Sequence, residues 1–167
     1  MNSAEIKLSG EMVAIVDASD FGLLSSFKWR AIKPSPRAPW YATTKIGGKN
    51  VYMHRFLLGA VRGQLSDHKN GCGLDNRRMN LRLATHSQNS WNTAKKSNGS
   101  TSKYKGVGWV AKDEAFQARI RIAPGKRISL GYFKTEEAAA LAYNRRAAEV
   151  FGEFARLNDV CRENLLP

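Results

Sequence analysis

Residues 66–92 read SDHKNGCGLDNRRMNLRLATHSQNSWN and hold five asparagines, Asn70, Asn76, Asn80, Asn89 and Asn92, with Asn98 just beyond. Asparagine is a poor residue inside a helix or a strand, because its side chain competes with the backbone for hydrogen bonds. Building a core does not call for so many. A polar surface loop is the plain reading, but the order of the residues supports a more specific one. QLSDH can extend as a strand. KNGCGLDNRRMN carries two glycines and turn-forming Asn and Asp, which makes it a loop. LRLAT alternates Leu81 and Leu83 against Arg82, as a strand with one buried face does. Thr85 and Gln88 then form a capping box that predicts a helix from His86 to about Lys95, with Lys95 and Lys96 suiting the dipole of its last turn. The spacing thus predicts strand, loop, strand and helix, a ββα unit over residues 66–94.

Asp67 and His68 end the first of these strands. Asn89 and Asn92, three apart, share a helix face. If that helix packs back on the hairpin, a carboxylate, an amide oxygen and an imidazole converge. Oxygen ligands suit a hard divalent cation such as magnesium or manganese, and the imidazole is placed to take a proton from water. Such a set hydrolyses phosphodiesters.

The charge fits that chemistry. Lys and Arg number 27 against 14 acids, a net charge of +13 with a pI near 10.1. Residues 1–66, 67–98 and 99–167 carry nets of +5, +4 and +4, so the positive field runs along the whole chain. This is expected of a protein whose segments track one phosphate backbone. An anionic membrane would need a basic amphipathic helix, and none is evident. There is no apolar run of 18 residues, and MNSAEIKLSGE has no secretory core, so a cytoplasmic protein is expected. Cys72 and Cys161 match neither a zinc spacing nor a disulfide framework, so no structural zinc is expected.

The string D-H-x-N-G-x-x-L-D-N-R-x-x-N-L-R followed by Q-N-x-x-N resembles HNH homing endonucleases of the phage and group I intron type, which belong to the His-metal-finger nucleases. The resemblance implies double-stranded DNA as partner, one divalent ion, Mg2+ or Mn2+, per site, and a bacterial cytoplasm if the chain is phage-encoded. It implies His68 as general base, Asp67 and Asn89 as metal ligands, and Asn80 as the residue that braces the loop and so orients His68. YMHRFLL, residues 52–58, resembles the segment that often precedes this motif. There His54 is expected to support structure or touch phosphate. Arg55, Arg77, Arg78 and Arg82 are candidate phosphate contacts.

Residues 1–65 read as an N-terminal β-rich region, with hairpins about Ser9-Gly10 and Gly47-Gly48, a helical turn in ASDFGLLSSF and a Pro-broken loop in KPSPRAP. KKSNGSTSK, residues 95–103, reads as a linker. Residues 104–158 read as a separate module, followed by a tail over 159–167. In the module, Phe116, Ala118, Ile120 and Ile122 alternate with Gln117, Arg119 and Arg121. RISLGYF adds a strand, Thr135 caps a helix, Ala139, Ala142, Tyr143, Ala147 and Val150 form its apolar stripe, and Gly152 stops it. A three-stranded sheet packed on one helix is therefore expected, and the whole chain is expected to be an α+β protein. Y-K-G-V, F-x-A-x-I-R, L-G-x-F-x-T-x-E-E-A-A-x-A-Y and a closing L-N resemble the Apetala/ethylene-response-factor DNA-binding domain. That resemblance implies DNA contacts from Lys105, Trp109, Arg119, Arg121 and Arg127.

The function expected is a metal-dependent, site-preferring DNA endonuclease of homing type. The alternative is a non-enzymatic, sequence-specific DNA-binding regulator with an inactive nuclease motif. RNA binding ranks behind both, for want of an evident aromatic stacking platform. The sequence does not fix the oligomeric state, a monomer being slightly favoured.

Overall fold

Gly10 sits at φ +73° in the turn after Ser9, and Leu8 donates its N–H to Met12 across it, 2.9 Å. That closes strands β1 (Ser3–Lys7) and β2 (Val13–Asp17) into an antiparallel hairpin. Ile6, Ala14 and Val16 are buried on it. In the computed structural model, which describes residues 2–95 and 99–160, the chain divides into two compact units, one ending at Asn89 and one starting at Ser90.

In the first unit, helix α1 (Ala18–Ser25) buries Leu24 and is followed by strands β3 (Arg30–Ile32), β4 (Tyr41–Ile46) and β5 (Lys49–Tyr52), in sheet order β3-β4-β5. Short helix α2 (Met53–Leu57) then leads to the hairpin of β6 (Leu65–His68) and β7 (Leu81–Ala84). One apolar core runs from Ile6 through Val16, Leu24, Trp29 and Met53 to Leu81. The N-terminal 65 residues and the Asp-His hairpin therefore share a core. The expected boundary at residue 65 is not a boundary of packing. The loop between β6 and β7 reinforces this: Ile15 donates its N–H to Leu74 O at 2.8 Å, and Asn76 donates to Ile15 O at 2.7 Å, so the loop docks on β2 by a parallel bridge.

Helix α3 (His86–Asn92) carries the expected capping box: Gln88 N–H donates to Thr85 Oγ1, 3.2 Å, and Thr85 N–H to Gln88 Oε1, 2.8 Å. It stops three residues short of the expected end. The Lys95 amine goes to Tyr104 O and Val107 O instead of lying in a helical last turn, and Lys96 lies outside the described residues. The division between units falls inside α3, ahead of the 95–103 segment. Beyond it, Trp91 stacks on Phe151 with ring centroids 4.5 Å apart, and Lys105 Nζ binds Trp91 O and Thr93 O, so the end of α3 packs with the second unit.

The second unit is an antiparallel sheet of β8 (Val107–Val110), β9 (Ala115–Ala123) and β10 (Lys126–Phe133), in order β10-β9-β8, with helix α4 (Glu136–Phe151) on one face. Thr135 Oγ1 accepts from Ala138 N–H at 3.2 Å and caps α4; Gly152, at φ +53°, ends it. Ala118 and Ile120 are buried with Ala139, Tyr143 and Ala147. Ala140 and Phe151 are also fully buried, while Ala142 and Val150 are only partly so. Asn158 fastens the far end: it accepts from Lys105 N–H, donates to Lys105 O, and exchanges two hydrogen bonds with Asn144. Among the described residues, no helix is long and apolar enough to cross a membrane.

Gly106 sits where backbone and helix meet. It has φ +78°, its carbonyl accepts from Arg119 N–H at 2.7 Å, and a Cβ there would strike the Tyr143 ring and lie 2.7 Å from Arg119 O. Gly125, in the β9–β10 turn, has a similar φ of +74° but nothing within 4 Å of a built Cβ. Gly125→Ala should therefore cost about 1–2 kcal/mol, the backbone strain alone. Gly106→Ala should lose about 1–3 kcal/mol more from overpacking. Urea melts of the two variants side by side check this; equal losses would mean that α4 yields at that contact.

Candidate active site

His68 ends β6, opposite Leu81 in the register, and is 5% exposed. A four-residue hairpin with one buried leucine gives little apolar leverage over the loop between its strands. Polar groups hold that loop. The Asn80 side chain donates to Asp75 O at 2.7 Å and to Asn70 Oδ1 at 3.0 Å, and accepts from Asn70 N–H at 3.0 Å. Asn70 also donates to Asp75 Oδ2, 2.8 Å, and accepts from Cys72 N–H. Asn80 therefore spans the loop through its amide. The asparagines that strands and helices disfavour find their partners here, on backbone and on each other.

The loop also closes on aromatic rings. A Cβ on Gly73 would collide with Trp40 O and lie 2.6 Å from Tyr41 Cδ1, so only glycine lets the loop approach β4 this closely. Tyr41 in turn meets His68, with centroids 5.9 Å apart, and His54, 5.5 Å apart. Within this box, Asn76 Oδ1 lies 3.4 Å from His68 Nε2. With the imidazole proton on Nε2 and directed at Asn76, Nδ1 is the basic nitrogen. Burial pulls the His68 pKa below its usual value, against the opposing pull of Asn76, Asp67 and Asp75, which favours the neutral imidazole that a general base needs. Asn76 falls within the matched string but had no role assigned from sequence. Its place beside the imidazole follows from the loop's docking on β2.

Asp67 is 7% exposed and sits directly across from Arg82. Arg82 Nε and Nη2 both donate to Asp67 Oδ2, at 2.9 and 2.7 Å, and both side chains are buried. Arg82 is thus a structural partner of Asp67 rather than an exposed phosphate contact. The pairing follows from the register: once His68 faces Leu81, Asp67 must face Arg82. The other candidate arginines are also engaged. Arg78 binds both Asp20 oxygens at 2.8 Å and Leu57 O, while its backbone N–H reaches Asp17. Arg77 binds Asp75 through Nε and Nη2 but keeps a partly exposed side chain. Arg55 donates to Ala60, Val61 and Gln64 carbonyls and shapes the loop after α2. Each has an acid or a carbonyl as its partner, and for Arg78 and Arg82 that partner is distant in the chain and invisible to local pattern.

Asn89 is exposed on α3, and its backbone N–H bonds Thr85 O. Among the described residues, no group of three His, Cys, Asp or Glu side chains is placed to hold a metal. The Asp67 carboxylate and the Asn89 amide are oxygen donors of the kind that a hard divalent ion takes. Arg82 already neutralises Asp67, so it competes for the same carboxylate oxygen.

On the second unit, Arg119 and Arg121 are exposed on the sheet face away from α4. Arg121 pairs directly with Arg127, and Arg119 with Ser129. Like charges directly opposed destabilise a sheet, so this pairing costs the free sheet some stability. Gln117 donates to Ser129 Oγ and Tyr132 OH on the same face, and Tyr132 is exposed. Lys105 departs from its expected role: its amine is bound by Trp91 and Thr93 carbonyls, and burial lowers its pKa to about 8. Trp109 pairs with Phe116 and meets its ring edge-on, which puts it at the end of the helix-side face rather than in the arginine row.

The chain is 32% identical over 153 residues to an uncharacterized HNH endonuclease, L560, of Acanthamoeba polyphaga mimivirus, covering 88% of this chain and 75% of that protein. It is 35% identical over 95 residues to Protein 3.8 of Escherichia phage T7, covering 57% of this chain and 76% of that protein. No family model and no solved structure matches.

Beside His68, two further groups make the first unit acid-sensitive. His54 stays neutral in the fold down to about 3, through burial and the nearby His68 and Arg55, whereas an unfolded imidazole takes its proton near 6.5. The unfolded chain therefore binds more protons between those values, and stability falls as pH drops through that window. The Arg77 hydrogen bond holds the Asp75 carboxyl below its usual range, so its contribution is present above about 4 and is lost at still lower pH. Urea midpoints from pH 7 to 3 should fall steadily for the wild type and less steeply for His54→Phe. Matching slopes would refute the His54 assignment.

Proposed function

The chain belongs to the HNH endonuclease family, and on that premise we propose that it is a metal-dependent DNA endonuclease of homing type that hydrolyses phosphodiester bonds at preferred sites. The observation that carries this reading is His68: buried at a strand end, its Nε2 directed at Asn76, its pKa held down, and the Asp67 carboxylate next to it in the chain. In the proposed reaction, His68 Nδ1 takes a proton from water as the water oxygen attacks phosphorus. The bond from phosphorus to the leaving sugar oxygen breaks, and that oxygen is protonated from solvent. Asp67 and Asn89 are the proposed ligands of a magnesium or manganese ion, which supplies charge to polarise the phosphate and stabilise the leaving oxygen. Asn80 keeps the loop, and with it Asn76, in place around the base.

The second unit is proposed as an Apetala/ethylene-response-factor-type DNA reader. Its sheet would present Arg119, Arg121 and Arg127 to the duplex, and arginine is the commonest reader of guanine edges. A competing reading, a DNA-binding regulator with an inactive motif, draws on the hold that Arg82 has on Asp67. Plasmid incubation with and without magnesium separates the two: nicked or linear product supports the nuclease, whereas a gel shift without product supports the regulator.

Further outcomes follow for variants. His68→Ala should reduce single-turnover cleavage by roughly 10²–10⁴-fold with little change in DNA affinity, since a general base acts on the nucleophile. Asp67→Ala and Asn89→Ala should regain part of their activity at high magnesium or manganese, which His68→Ala cannot; identical metal titrations for all three variants would contradict the division of roles. Arg121→Ala should cost about 1–3 kcal/mol and relax preference at one position if it reads a base edge. If it meets phosphate instead, filter binding should show a uniform loss and a log–log salt slope lower by roughly 0.9.

A further inference from the structure

His54 is the residue of the first unit that its fold explains least. It is the second residue of α2, is 7% exposed, and closes a box of four rings: its centroid lies 4.8 Å from His68, 5.5 Å from Tyr41 and 5.4 Å from Tyr52. The contact with His68 is edge-to-face, at 71°. Among the described residues, two buried side-chain nitrogens have no hydrogen-bond partner: His54 Nδ1 and Asn76 Nδ2. Both belong to residues that touch the His68 imidazole. An orphaned polar atom in such a place is costly, and a phenyl ring would fill the same space without it. Packing alone therefore does not select histidine at position 54.

We infer that His54 is a positioning residue for His68, acting through its buried Nδ1, which holds an internal water that fixes the His68 ring in one orientation and one tautomer. Two buried nitrogens without partners, on residues that both touch one imidazole, are the setting in which ordered water is found. With the proton kept on Nε2 and directed at Asn76, the Nδ1 of His68 stays basic. His54 itself remains neutral and exchanges no proton with the substrate. The inference rests on the nuclease reading for its catalytic consequence, and on the ring geometry alone for its structural one.

Three variants separate the polar role from simple filling of space. In His54→Asn, the amide falls near the position of Nδ1; in His54→Gln, it falls near Nε2; His54→Phe keeps the ring without nitrogen. Single-turnover cleavage of plasmid with magnesium should fall about 10–100-fold for the Phe and Gln variants and within about threefold for Asn, with DNA affinity unchanged in all three. Cleavage by His54→Phe at the wild-type rate, or equal loss in Asn and Phe, overturns the inference. A second readout does not need activity. The chain has three histidines, so long-range 1H–15N spectra resolve His68. A single Nε2–H tautomer in wild type and His54→Asn, mixed in His54→Phe, supports the inference; the same tautomer in all three refutes it. Wild-type protein that fails to cut, yet shows this tautomer pattern, would refute the nuclease reading and leave the positioning role supported.

Discussion

The buried pair between Asp67 and Arg82 sets the terms for everything around it. Two charges on facing strands, each nearly sealed from water, are tolerated because they pair directly, Arg82 Nε and Nη2 both donating to Asp67 Oδ2. The pair does little for net stability compared with an apolar couple of the same size, but it fixes register. A slip of one residue would bury an unpaired carboxylate and turn His68 away from Asn76. The polar loop clip built on Asn80, the docking of the loop on β2 and the four-ring box all presuppose that register.

Local signals in the sequence were legible where the physics is local. The Thr85–Gln88 box, the turn at Gly10, the alternation through Phe116 to Ile122 and the cap at Thr135 each depend on residues a few positions apart, and each is found in place. Asn80 is singled out in the sequence through the motif alone. What local pattern does not hold is the identity of a distant partner. Arg78 finds Asp20 across 58 positions, Arg82 finds Asp67 across 15, and Lys105 finds the end of α3. Arg78 and Arg82, read as charges beside the motif, looked like phosphate contacts, and Lys105, read from the resemblance, like a DNA contact. The early end of α3 has the same origin, since Lys95 serves the Tyr104 and Val107 carbonyls instead of a helix dipole.

The two units handle positive charge in opposite ways. In the first, arginines of the motif loop are tied to Asp20, Asp67 and Asp75, so their role is architectural. In the second, Arg119, Arg121 and Arg127 share a face with Gln117, Ser129 and Tyr132, and Arg121 opposes Arg127 without an intervening acid. A sheet that carries such repulsion gives up part of its stability at low ionic strength, where the opposed charges are least screened.

The bridge between Ile15 and Asp75, with Arg78 reaching back to Asp17 and Asp20, has a kinetic meaning. These contacts join residues about sixty apart, which gives the loop around His68 a high contact order, while the β1–β2 hairpin is local. On a ribosome the hairpin emerges first and waits. The loop finds its template only after the chain has been made past Arg78, so the chemistry-bearing segment is among the last parts of its unit to take shape. A chain interrupted before that point would carry the scaffold without the loop that encloses His68.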